Sequence, residues 1–328
     1  MHERNVRMIE VCVVGEINLD LILYGLPENP LPDHEHLASN MAFTVGGSSG
    51  IFAHNLRVLG TELGFICKIG NDPLGKMAAD RLSTAGVDIS RVKQGTASTS
   101  TGLTVVLPHA QHRFMFNYPG TTFELQYSDI DLDYLLSARH FHLSSFYLHR
   151  ALRPQIVNLF RQAKHAGLTT SLDTNEDPEN QWAPDLLEVL QYVDIFLPND
   201  REGKKIAGTD DSSQALNFLA QHAKIVVIKR GSAAAICRTG NEQWSATPPS
   251  VQMVDDIGAG DSFDAGFIHA YLLGAKLDDC LAFANLAAAY SLTKPGGTDA
   301  FCDRNALSSF IHEQWKLTGR GPLPMKNS

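Results

Sequence analysis

Short apolar runs alternate with helical patterns through the second half of the chain, and this alternation constrains the fold more than any other feature. The short runs predict strands at His140–Leu143, Thr169–Leu172, 194–197 and Ile225–Ile228. Apolar residues spaced three and four apart predict helices at 154–166, 184–192, 212–222, 261–273 and 277–293. Strands that alternate with helices form a parallel sheet covered on both faces. The pattern therefore predicts an α/β fold with a doubly wound, mostly parallel sheet.

The first 120 residues do not continue this alternation. Residues 19–24 alternate apolar and polar side chains, and residues 101–107 and 113–118 predict a hairpin joined by the polar residues 110–112. Such strands fit poorly into a doubly wound core. We therefore expect a small β-sheet lid that covers a site. Its strands are expected at about residues 17–45 and 98–120.

Composition and charge exclude several kinds of partner. The net charge of −9 argues against binding to a nucleic acid backbone, which needs a basic surface. No apolar run approaches the ~20 residues that a membrane span requires, and the first seven residues carry no apolar leader segment. The five scattered cysteines are typical of reduced thiols inside cells. We expect one cytoplasmic domain, residues 1–328, that binds neither nucleic acid nor membrane.

A glycine turn, Gly258-Ala259-Gly260-Asp261, leads directly into the helical pattern at 261–273. Glycines let backbone N–H groups approach an anion, and a helix start adds unpaired N–H groups and a positive dipole. Such a turn stabilises the charge on a phosphoryl group during transfer. Asp261 could accept the proton of the attacking hydroxyl, which is the general-base role in this chemistry. Taken alone, the same residues also fit a tight turn with an acidic helix start.

Other enzyme classes have only partial motifs in the sequence. Gly46-Gly47-Ser48-Ser49-Gly50 satisfies the G-x-S-x-G pattern of serine hydrolases, with Ser48 as the nucleophile. His269 and His312 follow later in the chain, but both lie in helical patterns, which disfavours this class. A dinucleotide-binding enzyme is disfavoured because the glycine turn lacks the third glycine of G-x-G-x-x-G. A P-loop ATPase is disfavoured because the sequence has no G-x-x-x-x-G-K-[ST].

Residues 254–267, VDDIGAGDSFDAGF, resemble the C-terminal signature of the ribokinase-like (PfkB) carbohydrate kinases. Residues 46–50 resemble the di-glycine signature near the N-terminus of that family. Five shorter segments match family elements in the same order, at residues 14–20, 70–75, 173–175, 199–202 and 229–231. Each match is weak alone, but the matches are collinear from about residue 10 to about residue 300. The chain is therefore similar to this family over nearly its whole length.

The resemblance implies ATP-dependent phosphorylation of a hydroxyl on a small sugar or sugar-like substrate, with Mg²⁺. Asp261 would be the general base, with an anion hole formed by Gly258, Ala259 and Gly260. Substrate hydroxyls would bind at Asn18, Asp20, Gly46, Gly47 and Ser48. ATP would lie against Asp173, Asn175, Asn199, Lys229, Gly231 and Asn285. The implied metal residues are Glu202 for Mg²⁺, through water, and Asp255 for a monovalent cation such as K⁺.

Some of these residues have a second interpretation. Asn199 and Glu202 also fit a helix capping box. In ribokinase itself, Lys and Asn stand where this chain has Ser48 and Ile51, so strict ribose specificity is not implied. Arg113, in a predicted lid strand, fits a charged substrate group because guanidinium binds phosphate and carboxylate in bidentate fashion. It also fits a solvated charge at a strand edge.

Three alternatives stay open at this point. The acceptor could be a nucleoside or a keto-deoxy sugar acid rather than a sugar. The chain could be a non-catalytic sugar-binding member of the family, although Asp261 and the complete anion turn argue against this. The lid could also pair two copies into a homodimer, because an exposed sheet edge offers unpaired backbone groups.

Overall fold

Runs of Val, Ile, Leu and Phe form the strands at the centre of the molecule. The computed structural model describes residues 9–109, 112–182 and 184–325. The first seven residues, and residues 110–111 of the predicted hairpin connection, lie outside these ranges. In chain order the strands are β1 (Val11–Val14), β2 (Asn18–Tyr24), β3 (Asn40–Gly46), β4 (Leu63–Ile66), β5 (Lys68–Ile69), β6 (Lys93–Gln94), β7 (Gly102–His109), β8 (His112–Tyr118), β9 (His140–Leu143), β10 (Thr169–Leu172), β11 (Ile195–Phe196), β12 (Ile225–Ile228), β13 (Ala235–Thr239) and β14 (Glu242–Ala246).

Helices cover both faces of the main sheet. They are α1 (Ser48–Val58), α2 (Pro73–Ala85), α3 (Leu132–Leu136), α4 (Arg153–His165), α5 (Asp185–Leu190), α6 (Asp200–Ala207), α7 (Ser212–Leu219), α8 (Ala259–Leu272), α9 (Leu277–Ser291) and α10 (Arg304–Leu317). Five of them, α4, α5, α7, α8 and α9, confirm the helices predicted from apolar spacing. Within the described residues, none of these helices has the length and apolar character needed to cross a membrane.

The described residues form an eight-stranded sheet in the order β14-β13-β12-β11-β10-β9-β1-β4. The six strands from β12 to β4 are parallel. β13 and β14 add an antiparallel hairpin at one edge. The sequence did not predict this hairpin because its strands mix polar and apolar residues without a clear run. The predicted α/β fold with a mostly parallel sheet is confirmed.

Successive side chains of each central strand point into two different apolar cores, as the two-residue period of a strand requires. In β1, Val11 and Val13 pack in the core that includes Phe267 of α8. Cys12 packs instead in the core that includes Phe160 of α4. Both faces of the sheet are therefore covered, and the strands form a rigid platform whose carboxyl ends meet at one edge.

A separate four-stranded sheet, in the order β3-β2-β7-β8, forms the predicted lid. β2 is parallel to β7 and antiparallel to β3, so that Asn18 lies opposite both Gly46 and Gly102. Only residues 15–17 separate the core strand β1 from the lid strand β2. The lid therefore begins directly at the carboxyl edge of the main sheet.

Helices α8 and α9 pack closely where Gly266 has no side chain. A Cβ at Gly266 would lie 2.8 Å from the Cβ of Ala287 and 3.0 Å from the Cα of Ala284. We expect Gly266→Ala to lower the free energy of unfolding by about 1–3 kcal/mol, because overpacking outweighs the better helix propensity of alanine. Thermal and denaturant unfolding of the purified variant would measure this change.

Gly203→Ala in α6 is the matched control. A Cβ there would meet its nearest neighbour, Ile228 Cδ1, at an ordinary 3.5 Å. We expect this substitution to raise the free energy of unfolding by about 0.5–1 kcal/mol. Equal effects of the two substitutions would contradict the close packing of α8 on α9.

Candidate active site

Polar residues follow several parallel strands at the carboxyl edge of the main sheet. They include Glu16 after β1, Ser145 after β9, Asp173 after β10 and Lys229 after β12. In doubly wound sheets, ligands bind outside this edge. Contacts among these loops, the start of α8 and the lid bring together most of the residues predicted from the sequence.

Gly258 forms the turn that precedes α8, with a left-handed φ of 70°. A Cβ at this position would lie 2.5 Å from the Cα of Gly297, so both the conformation and the close approach favour glycine. Among the described residues, no side chain caps α8. The N–H of Ala259 makes a long hydrogen bond of 3.4 Å to the carbonyl oxygen of Asp256. Such a weak bond can be exchanged for one to an anion bound at the helix start.

Asp261 lies in that first turn and is only 8% exposed. The hydroxyl of Ser48, at the start of α1, lies near enough to its carboxylate to lower the pKa of Asp261. Burial and the nearby Asp173 raise the pKa of Asp261 to about 7, although Lys229 acts in the opposite direction. Asp261 therefore gains and loses a proton near neutral pH, beside both the anion turn and the di-glycine helix start.

Lys229 connects the anion turn to the strand ends. Its Nζ donates to Oδ2 of Asp173 at 2.7 Å and to Oδ2 of Asp264 at 2.9 Å. Burial disfavours the charged amine, but the two carboxylates outweigh it and raise the pKa of Lys229. A Cβ at Gly260 would lie 3.6 Å from Nζ, so the ammonium group lies next to the turn. The sequence pointed to Lys229 and Asp173 but not to Asp264, which the family resemblance did not mark as a site residue.

Asn199 and Glu202 form a capping box at the start of α6. The Asn199 side chain accepts the N–H of Glu202, and Glu202 Oε2 accepts the N–H of Asn199 at 2.9 Å. Burial and the neighbouring Asp173 raise the pKa of Glu202 to about 8. A cation bound near both carboxylates would offset their mutual repulsion.

Mg²⁺ fits this part of the site if water and ATP phosphates supply most of its ligands. Within the described residues, no three or more His, Cys, Asp or Glu side chains are grouped to hold a metal ion. Mg²⁺ commonly binds through one or two carboxylates together with substrate phosphates and waters. Glu202 and Asp173 are carboxylates of the required kind.

Asn18 and Asp20 lie on the lid strand β2, and both are buried. Asn18 Nδ2 donates to Thr104 Oγ1 at 2.9 Å, whereas Asn18 Oδ1 has no hydrogen-bond partner among the residues that the structure describes. Burial raises the pKa of Asp20 to about 7. A Cβ at Gly46 would lie 2.0 Å from Asp20 Oδ1, and one at Gly47 would lie 2.5 Å from Asn18 Oδ1. The di-glycine pair thus leaves room for two polar side chains that can take substrate hydroxyls.

Asp255, the predicted residue for a monovalent cation, is already bonded. Its Oδ2 accepts hydrogen bonds from the phenol of Tyr24 at 2.6 Å and from the N–H of Gly296 at 3.0 Å. Its Oδ1 accepts the N–H of Ile257 at 3.1 Å. These three donors leave about one lone-pair site, on Oδ1, so Asp255 could give a monovalent cation at most one ligand. No step of the reaction is derived through such a cation.

Arg113 extends from the lid strand β8 and forms an ion pair with Asp256, in the loop before α8. Its charge also lies close enough to act on Asp20. Arg113 therefore borders the region between the lid and the anion turn.

The remaining predicted nucleotide residues lie in three different places. Asn175 has a left-handed φ of 52°, and its Nδ2 donates to Ser145 Oγ at 3.2 Å. Gly231 turns the chain after β12 with a φ of 58°. Asn285 lies on α9 and donates to the carbonyl oxygen of Ala246, at the end of β14, at 2.8 Å. Asn285 thus holds the edge hairpin, which lies on the opposite side of β12 from β1, the strand that leads into the lid.

A buried polar cluster centred on Glu16 was not predicted. The Glu16 carboxylate accepts hydrogen bonds from Ser49 Oγ at 2.9 Å and from Ser145 Oγ at 2.7 Å. Glu16 lies inside the matched segment 14–20, but its partners are distant in sequence and gave no local signal.

A cavity of about 550 Å³ lies away from these residues, between α1, α2 and the segment 298–304. The described residues that line it include Val45, His54 and Arg81 but none of the predicted site residues. The predicted site is therefore the open carboxyl edge under the lid, and not this cavity.

A sequence model of the pfkB family carbohydrate kinases matches residues 8–303. The chain belongs to this family. It is an ATP-dependent carbohydrate kinase, which transfers a phosphoryl group to an alcohol acceptor.

Two relatives show how broad the family is. This kinase is 27% identical to the 2-dehydro-3-deoxygluconokinase of Bacillus subtilis over 293 residues, which cover 85% of this chain and 90% of that protein. It is also 27% identical over 309 residues to the ATP-dependent ribose-1-phosphate kinase of Halopiger xanaduensis, covering 94% of this chain and all of that protein (100%). Relatives at similar distances thus act on different acceptors, so similarity alone does not select one.

Solved structures share the fold of this kinase. The ribokinase of Arabidopsis thaliana, complexed with ribose and ATP, superposes with a TM-score of 0.78 at 25% identity, over 92% of this chain and 98% of that one. An E. coli protein in complex with ATP and Mg²⁺ superposes with a TM-score of 0.81 at 24% identity, over 93% and 99% of the two chains.

Proposed function

We propose that this kinase phosphorylates a hydroxyl of a small sugar or sugar acid that binds between the lid and the anion turn, with Asp261 as the base. The observation that carries this proposal is the position of Asp261. It lies at the start of α8, near the Ser48 hydroxyl at the start of α1, and its pKa is raised to about 7 by burial and by Asp173. A carboxyl group with a pKa near the working pH is suited to accept a proton during the transfer.

The chain's own residues account for the other requirements of the reaction. Asn18 and Asp20 hold acceptor hydroxyls, and the N–H groups of Ala259, Gly260 and Asp261 stabilise the charge on the transferring group. Lys229 adds positive charge beside the same turn. Mg²⁺, when bound with ATP, would supply charge neutralisation for the phosphates, and Glu202 would hold it through water. Closure of the lid excludes water and suppresses ATP hydrolysis.

Within this proposal, a keto-deoxy sugar acid is the acceptor to test first. Arg113 lies on the lid, where its charge acts on Asp20, and its guanidinium can bind a carboxylate in bidentate fashion. The Bacillus subtilis relative is a kinase of such an acid. The Halopiger relative is named for a phosphorylated sugar, which is also an anionic acceptor. Neutral sugars and nucleosides are the comparison set.

An assay of ADP release with Mg-ATP tests the proposal against keto-deoxy sugar acids, sugar phosphates, sugars and nucleosides. We expect turnover on an acidic or phosphorylated sugar, and a fall of about 10²–10⁴ in kcat for Asp261→Asn, because asparagine cannot accept a proton. ATP binding by this variant is expected to stay close to that of wild type.

Asp80→Asn is the matched control, since Asp80 is an exposed carboxylate that pairs with Lys76 on α2. Its turnover should equal that of wild type. A near-normal rate for Asp261→Asn would exclude Asp261 as the base, and turnover on neutral sugars alone would exclude the acidic acceptor.

The pH dependence follows from the raised pKa of Asp261. The carboxyl group is protonated below a pH of about 7 and then cannot accept the acceptor proton. We expect kcat/KM to fall about tenfold for each pH unit below this value and to level off above it. Initial rates from about pH 5 to about pH 9 would show this limb, and a profile that is flat down to pH 5 would contradict the assignment.

We also propose that two copies of the chain associate through the outer face of the lid. Each of the four lid strands contributes one apolar side chain to a row across this face: Phe43, Leu21, Val105 and Phe116. On the same face Met41, Phe116 and Tyr118 are 61%, 60% and 51% exposed. An apolar sheet face of this kind is unfavourable in water, and an identical face on a second copy would cover it. The contact is therefore expected through the face of the lid rather than through its strand edges.

Phe116→Asp should convert this dimer into a monomer, because a buried unpaired carboxylate is costly at an apolar interface. Asn117→Asp, one residue away on the opposite face, is the matched control and should remain a dimer. Sedimentation velocity of both variants and of wild type at micromolar concentration would measure this. A monomeric wild-type protein would exclude the proposed contact.

A further inference from the structure

Glu16 is a buried carboxylate that joins the two sides of the active site. It follows β1 directly and is 4% exposed. Its Oε2 accepts a hydrogen bond from Ser49 Oγ at 2.9 Å and lies 3.3 Å from Nε2 of His149. Its Oε1 accepts a hydrogen bond from Ser145 Oγ at 2.7 Å, and the N–H of Ser49 lies 3.4 Å away. One side chain thus contacts three other residues, from two different segments of the chain.

On the acceptor side, Glu16 holds the first turn of α1. Ser49 follows Ser48, and the hydroxyl of Ser48 lies near enough to Asp261 to lower the pKa of its carboxyl group. A Cβ at Gly15 would lie 1.9 Å from Ser49 Oγ, so the absence of a side chain at Gly15 lets the serine reach the carboxylate. The position of the di-glycine helix start therefore depends on the position of Glu16.

On the nucleotide side, Glu16 holds the loop that follows β9. Ser145 has a left-handed φ of 57°, and its Oγ also accepts a hydrogen bond from Nδ2 of Asn175, whose φ is 52°. Left-handed conformations are unfavourable for residues other than glycine and persist only where surrounding contacts hold them. Because Asn175 belongs to the Asp173–Asn175 segment, the carboxylate fixes the backbone next to the Asp173–Lys229 pair.

We propose that Glu16 is a positioning residue for phosphoryl transfer, which holds the acceptor-side helix start and the nucleotide-side loops at a fixed separation. It has no hydrogen-bonding capacity left for substrate, since four donors surround its two oxygens. It acts through Ser49 on Ser48, and through Ser145 on Asn175. This inference rests on the proposed role of Asp261 only where it predicts a change in the pH profile.

The charge of Glu16 has a second, separable effect. Burial alone would raise the pKa of Glu16, but the hydrogen bonds and charge of His149, with the hydrogen bond from Ser145, lower it. Glu16 therefore remains ionised, and its charge raises the pKa of Asp261. The other groups that act on Asp261 are Asp173, which also raises its pKa, and Lys229 and Ser48, which lower it.

Glu16→Gln and Ser49→Ala separate the two effects. Both substitutions remove hydrogen bonds at the start of α1, and we expect both to lower kcat/KM for the acceptor, by about tenfold to a hundredfold for Glu16→Gln. The KM for ATP should change less than the KM for the acceptor. Only Glu16→Gln removes the negative charge, so only this variant should move the acid limb of the pH profile to lower pH.

A Glu16→Gln enzyme with wild-type kcat/KM and an unmoved acid limb would overturn the proposal. So would equal shifts of the acid limb in Glu16→Gln and Ser49→Ala. If Asp261 is not the base, Glu16→Gln should leave the acid limb of the pH profile unmoved but should still lower kcat/KM for the acceptor. A failure of the base assignment can therefore be distinguished from a failure of the positioning role of Glu16.

A second pair of variants covers the case in which Glu16→Gln does not fold. Ser49→Ala and Ser145→Ala each remove one donor to the shared carboxylate and leave its charge in place. If Glu16 joins the two sides, their effects on acceptor kcat/KM should be non-additive in the double variant. Strictly additive effects would show that the two sides are not coupled through Glu16.

Discussion

A single buried ammonium group, that of Lys229, makes it possible to collect acidic side chains at the carboxyl edge of the sheet. Like charges in a poorly solvated site repel strongly. Lys229 pairs with Asp173 and Asp264 at 2.7 and 2.9 Å, and burial nevertheless raises the pKa of Asp264. The nearby Asp261 and Glu202 have pKa values raised to about 7 and 8. Burial and the charge of Asp173 raise the pKa of the proposed base Asp261, and Lys229 limits this rise without contacting the proton that Asp261 would accept.

Glycines decide how closely these groups can approach the backbone. Gly46 and Gly47 leave space for Asp20 and Asn18 of the lid, and Gly258 packs against Gly297 while it turns the chain into α8. Any side chain at these positions would overlap atoms that already lie within 2.0 to 2.5 Å of the missing Cβ. The lid, the helix starts and the loops therefore approach one another most closely at a few glycines, where no side chain separates them.

Local sequence patterns predicted the helices and the parallel strands, but they did not predict several polar contacts of the candidate site. Helices α4, α5 and α7 follow from apolar spacing because each buries one face on the sheet. Asp264 and Glu16 were missed because their partners Lys229 and Ser145 lie 35 and 129 positions away. The bond between Asp255 and Tyr24 spans 231 positions, so no local pattern indicated that a phenol donates to this carboxylate. Local sequence patterns predict which residues of a helix or strand are buried. They do not predict which polar groups from distant parts of the chain come into contact.

The connection from β1 to β2 contains only residues 15–17, and Glu16 is its central residue. Ile17 is fully buried and Gly15 packs against Ser49, so this connection has few backbone torsions free to change. A lid attached by a long linker could open without disturbing what lies beneath it. Here the connection from the main sheet to the lid lies beside the site, so a rotation of the lid about this connection would turn the peptide that carries Glu16. The position of the lid over the acceptor and the spacing of the groups that Glu16 holds would therefore change together.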